Sequence, residues 1–347
     1  FASFYAITIP LTGVIFLKRQ WLLGKRYGYI TPGEMFSDYY GTDWMRFLTV
    51  LVALVFSVPY LGIQLRALGL LFSRLVQGTE LEQTFLGTVE GGAILLSVVV
   101  FIYVASGGLR SVAYVDSVQC ILLALGIVIL GFVALDLVGG WESFKGGLAR
   151  LAESNPEMIA IPTRPESPSF LERAGTLFWD GSGKSWTGMM ILTYMFALMG
   201  IQSAPAFSMW AFANRDPRSF AWQQVFASSL AIGGILFVFT ALQGLGGAML
   251  ERGLLPGAEK LGVPGSDSLV PYLITTLSET YPWLVGLLCV CALAAMQSTG
   301  AAYMSTASGI ITRDLYRHFL NQDASHRAQV LVGRVSVFFI VVLALFV

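Results

Sequence analysis

The sequence predicts an all-α integral membrane protein, and three observations carry that prediction. Of its 347 residues, 55% are hydrophobic and only 12% charged, with a mean hydropathy of +0.70, whereas soluble domains run to roughly a quarter charged. Apolar runs long enough to cross roughly 30 Å of hydrocarbon recur along the whole chain. Basic residues collect in every second connection between those runs, the asymmetry that the positive-inside rule expects of a multi-pass topology.

Eight spans follow. The first, near 1–17, ends at Lys18 and Arg19, which with Lys25 and Arg26 mark a cytoplasmic connection to the second, near 45–75. Spans near 91–108 and 116–138 flank Arg110, also cytoplasmic. Those near 187–211 and 220–249 enclose Arg215 and Arg218, and those near 283–311 and 331–347 enclose Arg313, Arg317 and Arg327. The stretches 139–186 and 250–282 are then extracellular loops. The former is long, acid-balanced and Pro-rich, so its own basic residues weigh little. The latter is broken by Pro256, Gly262 and Pro264 before a short helix over 268–278. All of 1–347 forms one transmembrane domain, and both terminal runs read as clipped.

Several function classes drop out. With 21 basic and 21 acidic residues the net charge is zero, so no basic surface recommends nucleic acid. Cys120, Cys289 and Cys291 sit inside apolar runs, without the spacing of a disulfide framework or a zinc site, and read as packing residues. Gly181-Ser182-Gly183-Lys184-Ser185 imitates a phosphate-binding loop, but Phe178 stands where the first glycine belongs, so it reads as a turn. His318 and His326 fall in a polar loop with no partners at ligand spacing. No nucleophile and base pattern appears, so the chain is not read as an enzyme.

The informative polar groups lie inside the spans. Residues 292–317 form an apolar helix carrying vicinal hydroxyls, Ser298 and Thr299, and ending in charge. Lipid offers such groups no partner, so they line an interface or a wet cavity, and their oxygens suit a small hard cation. The alternative is that they bond back to a carbonyl one turn earlier or glue helices together. In the span near 187–211, Gly200 and Pro205 bracket Gln202 and Ser203. An unwound helix there would free backbone groups for a solute or ion; a simple packing kink is the other reading. Asp116 sits at the edge of a span, where a carboxylate needs water or a partner such as Arg110.

Three stretches, 107–119, 294–316 and 30–36, together resemble the sodium:solute symporter family, which includes sodium-coupled proline, sugar, pantothenate and sialic acid transporters. The stretch Gly107-Gly108-Leu109-Arg110-Ser111-Val112-Ala113-Tyr114-Val115-Asp116-Ser117-Val118-Gln119 is similar to that family's Gly-Gly junction. Ala294 through Tyr316 is similar to its ion-binding helix, and Ile30-Thr31-Pro32-Gly33-Glu34-Met35-Phe36 to its short Thr-Pro element. The resemblance implies a LeuT-type fold of two inverted five-helix repeats, with the eight spans as core helices 2 to 9 and the first and tenth absent from this numbering. It also implies a sodium site at the carbonyl of Ala295 and the hydroxyls of Ser298 and Thr299. These positions, i, i+3 and i+4, share one helical face.

In some members an acid matching Asp116 serves a second sodium or the inner exit path. Those members carry a further hydroxyl where this chain has Ala295, so one coupling ion is expected, with Asp116 on its release path. Gln64, Gly200, Gln202 and Ser203 are the expected solute-lining residues. Ile201 stands where an aromatic gate is common in proline and sugar transporters, and Tyr60 and Tyr194 are candidate replacements.

The function implied is sodium-coupled symport of a small polar organic solute into the cell by alternating access. The chain would be multi-pass in the plasma membrane, with sodium, solute and the lipid bilayer as partners and no nucleic acid. Two other readings stay open: a transporter-like sensor domain of a membrane signalling protein such as a histidine kinase, and a proton-coupled carrier using Asp116.

Overall fold

In lipid a chain must satisfy its backbone internally, and this one does so with helices. The computed structural model describes residues 2–154, 188–254, 269–278 and 281–347, with the side chains of 2–8 and 188–191 left aside. The expected turn over 181–185 and most of both expected loops lie outside the described residues. The elements are α1 (Ala2–Tyr27), α2 (Pro32–Tyr40), α3 (Trp44–Leu75), α4 (Val89–Leu137), α5 (Gly140–Ser154), α6 (Gly188–Met199), α7 (Pro205–Ala213), α8 (Phe220–Arg252), α9 (Leu269–Thr275), α10 (Pro282–Leu320) and α11 (His326–Leu345). Short 3₁₀ turns occupy Glu80–Gln83, Phe85–Gly87 and Gly200–Ser203, and α8 and α10 contain π-wound stretches at Gln223–Gly233 and Ile311–Leu320.

Among the described residues, six helical stretches are long and apolar enough to cross a membrane: α3, α4, Leu192–Ala213, α8, α10 and α11. The protein is a multi-pass membrane protein. Two expected spans, near 91–108 and 116–138, lie on the single run α4, interrupted at Gly108 with φ 61° and ψ −168°. The helix resumes directly after that residue, so 109–115 are helical rather than a connecting loop. The last expected internal span continues as helix through Leu320, and 139–186 begins with the helix Gly140–Ser154.

The chain divides into two compact units. Unit one holds 1–12, 127–201 and 222–269. Its described core packs Val138 and Phe144 against Met249 and Leu250. Unit two holds 13–126, 202–221 and 270–347. Here Leu61, Leu65 and Leu68 of α3 pack with Val100, Val104 and Val112 of α4, with Ala301, Met304 and Ala307 of α10 and with Val337, Ile340, Val341 and Ala344 of α11. Lipid tails are as apolar as these side chains, so close packing rather than water exclusion holds such helices together. Gly62 illustrates it: a Cβ there would lie 2.8 Å from the Ala344 carbonyl oxygen, so α3 approaches α11 as only glycine permits.

A polar knot closes one end of unit two. Thr31 caps α2 by accepting from the Glu34 amide at 3.2 Å, while Glu34 Oε2 accepts from the amides of Ile30 at 2.7 Å and Thr31 at 3.4 Å. The Thr31 hydroxyl donates to Asp314 Oδ1 at 2.8 Å, and Arg46 Nη1 reaches the same oxygen at 3.3 Å. Arg313 Nη2 lies 2.9 Å from Glu34 Oε1. The Asp314 side chain is 0% exposed, so removing it would strand Arg46 in a largely buried place. We expect Asp314→Ala to destabilise the protein by about 3–5 kcal/mol. The double variant Arg46→Met with Asp314→Leu should recover much of that loss in thermal unfolding of the detergent-solubilised protein.

Candidate ion and solute site

The helix α10 carries the expected ion ligands on one face. Ser298 Oγ donates to the Ala295 carbonyl at 3.1 Å and Thr299 Oγ1 to the same carbonyl at 3.4 Å. The structure thus brings the three oxygens together, with all three residues half-buried. A hydroxyl that spends its proton on a carbonyl keeps its lone pairs for a cation, so the back-bond and an ion site are compatible. The same arrangement recurs one heptad on, where Ser305 at 3.0 Å and Thr306 at 2.8 Å share the Ala302 carbonyl. Among the described residues no three His, Cys, Asp or Glu side chains gather as a metal cluster. The oxygens available here are neutral and hard, the chemistry of an alkali cation rather than of zinc.

Asp116 follows the Gly108 break. Its Oδ1 is buried without a hydrogen-bond partner, and so is Oε1 of Gln119 one turn on. Arg110 does not pair with it: the guanidinium lies over the Tyr114 ring, 6.0 Å from its centroid. The break itself is braced, because Arg334 Nε of α11 donates to the Ala105 carbonyl at 2.9 Å. Tyr103 donates to the Gln297 carbonyl at 3.2 Å, tying α4 to the turn of α10 that carries Ser298 and Thr299.

The break expected between Gly200 and Pro205 is present. Gly200–Ser203 is a 3₁₀ turn, Ala204 is extended at φ −61° and ψ 151°, and Pro205 starts α7. Proline has no amide, so the Ile201 carbonyl one turn before it loses its helical donor. Gly200 is exposed and lies in unit one, where the Thr12 hydroxyl donates to the Met199 carbonyl at 3.0 Å. Gln202 and Ser203 lie in unit two; Gln202 is buried, with Oε1 lacking a partner. Gln64 is half-buried on α3. One turn before it Tyr60 stands 5.0 Å from Tyr303 and 5.8 Å from Phe56, ring centroid to ring centroid. Tyr303 is one turn beyond Thr299; that i+4 spacing from the hydroxyl pair is the signal sequence reading passed over.

One expectation needs correcting. His318 is helical rather than in a loop, and its Nε2 lies 2.9 Å from Asp43 Oδ1. The partner sits 275 residues away in sequence, beyond any local spacing rule.

Helices broken at Gly108 and around Ala204, with hydroxyls collected on a third helix, define the class: a multi-pass helical membrane protein with polar groups and interrupted helices inside its spans. The profile of the sodium:solute symporter family matches residues 1–347, and the chain belongs to that family. It is 24% identical over 306 residues to the osmoregulated proline transporter OpuE of Bacillus subtilis (strain 168), covering 88% of this chain and 54% of that protein. It is 25% identical over 305 residues to the sodium/proline symporter of Escherichia coli (strain K12), covering 87% and 52%. The chain thus spans about half the length of these curated relatives. A solved Na⁺-coupled sialic acid symporter, in a substrate-bound outward-open state, superposes with a TM-score of 0.61 at 16% identity, covering 99% of this chain and 70% of that one. That likeness is one of fold, the LeuT-type bundle expected from the sequence.

The Gly108 geometry yields a prediction of its own. Gly108→Ala forces an L-residue into a positive-φ conformation with extended ψ that essentially only glycine adopts, a penalty of roughly 1–3 kcal/mol. It should lower the melting temperature, whereas Gly146→Ala, at a helical glycine with open space around it, should not.

Proposed function

We propose that this chain is the core of a sodium-coupled symporter that carries a small polar organic solute into the cell by alternating access. The observation that carries the reading is the convergence of Ser298, Thr299 and the Ala295 carbonyl in a chain of this family. Sodium, as the co-transported ion, would be held by these three neutral oxygens. Neutral dipoles bind it firmly enough to select it and weakly enough to release it. Asp116, with a buried unpartnered oxygen, would draw the released ion along the inner path. Gln64, Gln202 and Ser203 would line the solute pocket, with Gly200 supplying the freedom of the break.

In the same reading the eight spans are core helices 2 to 9 of the inverted repeats. The stretches 139–186 and 250–282 face outside, and the protein resides in the plasma membrane. Sodium and solute then bind with reciprocal coupling: each must raise the affinity of the other by the same factor.

The test is uptake of a labelled solute panel by proteoliposomes of the full-length protein, under an inward sodium gradient and then with potassium in its place. Sodium-driven accumulation is the expected result. Binding without accumulation would point instead to a sensor, and pH-driven uptake indifferent to sodium to a proton carrier. Ser298→Ala and Thr299→Ala should each raise the sodium concentration for half-maximal uptake roughly tenfold, the effect of losing one strong polar contact to a charge. Ser305→Ala and Thr306→Ala remove the same kind of back-bond one heptad away and should leave sodium dependence unchanged. Equal effects at both pairs would reduce the Ser298 and Thr299 result to helix packing.

A further inference from the structure

One buried amide in unit two is left unused by the reading above. On α1, the residues Gly13, Leu17, Gln20 and Gly24 are buried at helical spacing, so they form one face. That face packs on α7. Leu17 clusters with Ala211 and Phe220, Trp21 Nε1 donates to the Asn214 carbonyl at 3.0 Å, and a Cβ at Gly24 would meet the Phe212 ring at 2.6 Å. Within this apolar seam Gln20 is only 9% exposed, a costly place for an amide unless it is hydrogen-bonded. Its Nε2 donates to Ser208 Oγ at 3.0 Å while its Oε1 is buried without a partner, and Ser208 is itself 2% exposed.

The bond does not stop at Ser208. Ser208 Oγ donates its own proton to the Ser203 carbonyl at 3.4 Å, the carbonyl immediately before extended Ala204 and Pro205. A hydroxyl has one proton to give, and here it is spent on Ser203, so the Gln20 amide must present its N–H to the oxygen. The direction of the relay is therefore set from Gln20 through Ser208 to the lip of the helix break. The Ser208 amide bonds separately to the Ala204 carbonyl at 3.0 Å, so the side chain of Ser208 adds a hold that the backbone does not supply.

We infer that Gln20 is a positioning residue: through Ser208 it holds the Ser203 carbonyl, and with it the downstream lip of the break, in the geometry that receives the solute. This role rests on the proposed symport for its transport consequence, but the relay itself is a property of the fold. Leucine at position 20 keeps the volume and removes the donor. Alanine at Ser208 removes both bonds of the relay.

The experiment has two arms. In the first, hydrogen exchange is followed in the detergent-solubilised full-length protein. Gln20→Leu and Ser208→Ala should each speed exchange of the amides in 203–210 about tenfold, as expected for loss of one buried bond, with α3 unchanged. Unchanged exchange at 203–210 overturns the inference whatever the protein transports. In the second, uptake kinetics are measured for the solute found in the panel. Both variants should raise the solute KM about tenfold while the maximal rate stays within about twofold. The double variant should be no worse than Ser208→Ala, because the two residues act through one chain of bonds. Losses that multiply, or a KM that does not move despite faster exchange, would make the relay a packing feature and sink the positioning role. If Gln20→Leu fails to fold, Ser208→Ala carries both arms alone. If the wild type accumulates no solute with sodium, the symport proposal fails and the exchange arm still decides the relay.

Discussion

A buried carboxylate sets the terms for unit two. Asp314 has no exposed side-chain surface, and an unpaired carboxylate in such a place would not stay ionised. Its oxygen Oδ1 accepts a hydrogen bond from Thr31 and faces Arg46, so three elements must be in place at once: the start of α2, the first turn of α3 and the π-wound end of α10. Thr31 serves two of them, since its oxygen also caps α2. Glu34 couples the knot further by closing the capping box and pairing with Arg313. Even Gly33 is prescribed, because a Cβ there would lie 2.6 Å from Asp314 Oδ2. Two sequence stretches that read as separate family-like motifs, 30–36 and 294–316, are joined by this one interaction.

This is also where sequence reading ran out. Long apolar helices were legible because lipid demands such runs and leaves few alternatives. The break at 200–205 was legible because glycine and proline declare themselves locally. The partners of Asp314 and His318 were not, since they lie 283, 268 and 275 residues away and no periodicity connects them. Gly108 falls between. Its motif was readable, but the break was taken for the edge of a loop, whereas a single positive-φ glycine redirects the helix and lets it continue. Gln20 escaped notice because one amide in a basic-flanked helix end looks like an interfacial polar residue until its burial is known.

The hydroxyls of α10 show why type and spacing alone carry limited weight in a spanning helix. Ser298, Thr299, Ser305, Thr306, Ser308 and Thr312 all donate to a carbonyl one turn back. Each is a locally complete solution to placing a hydroxyl in lipid, and none needs an ion. What separates the first pair is accessibility: Ser298 and Thr299 are both half-buried, whereas Thr306, Ser308 and Thr312 are buried. Coordination needs lone pairs that reach open space, so burial removes the deeper hydroxyls from contention, and the half-buried Ser305 lacks an equally open neighbour.

The two broken helices extend the argument. At Gly108 the upstream Ala105 carbonyl is taken by an arginine from α11, and at Ala204 the Ser203 carbonyl is taken by a serine on the same helix that a glutamine holds in turn. Freed backbone in a membrane is tolerated only where side chains or water re-satisfy it. A carbonyl held by a charged, exposed side chain can exchange that partner for water as the helix moves. A carbonyl held through two buried neutral groups has no such substitute. In the proposed transport cycle the first arrangement would suit a hinge that gives, and the second a surface that keeps its shape as the solute arrives.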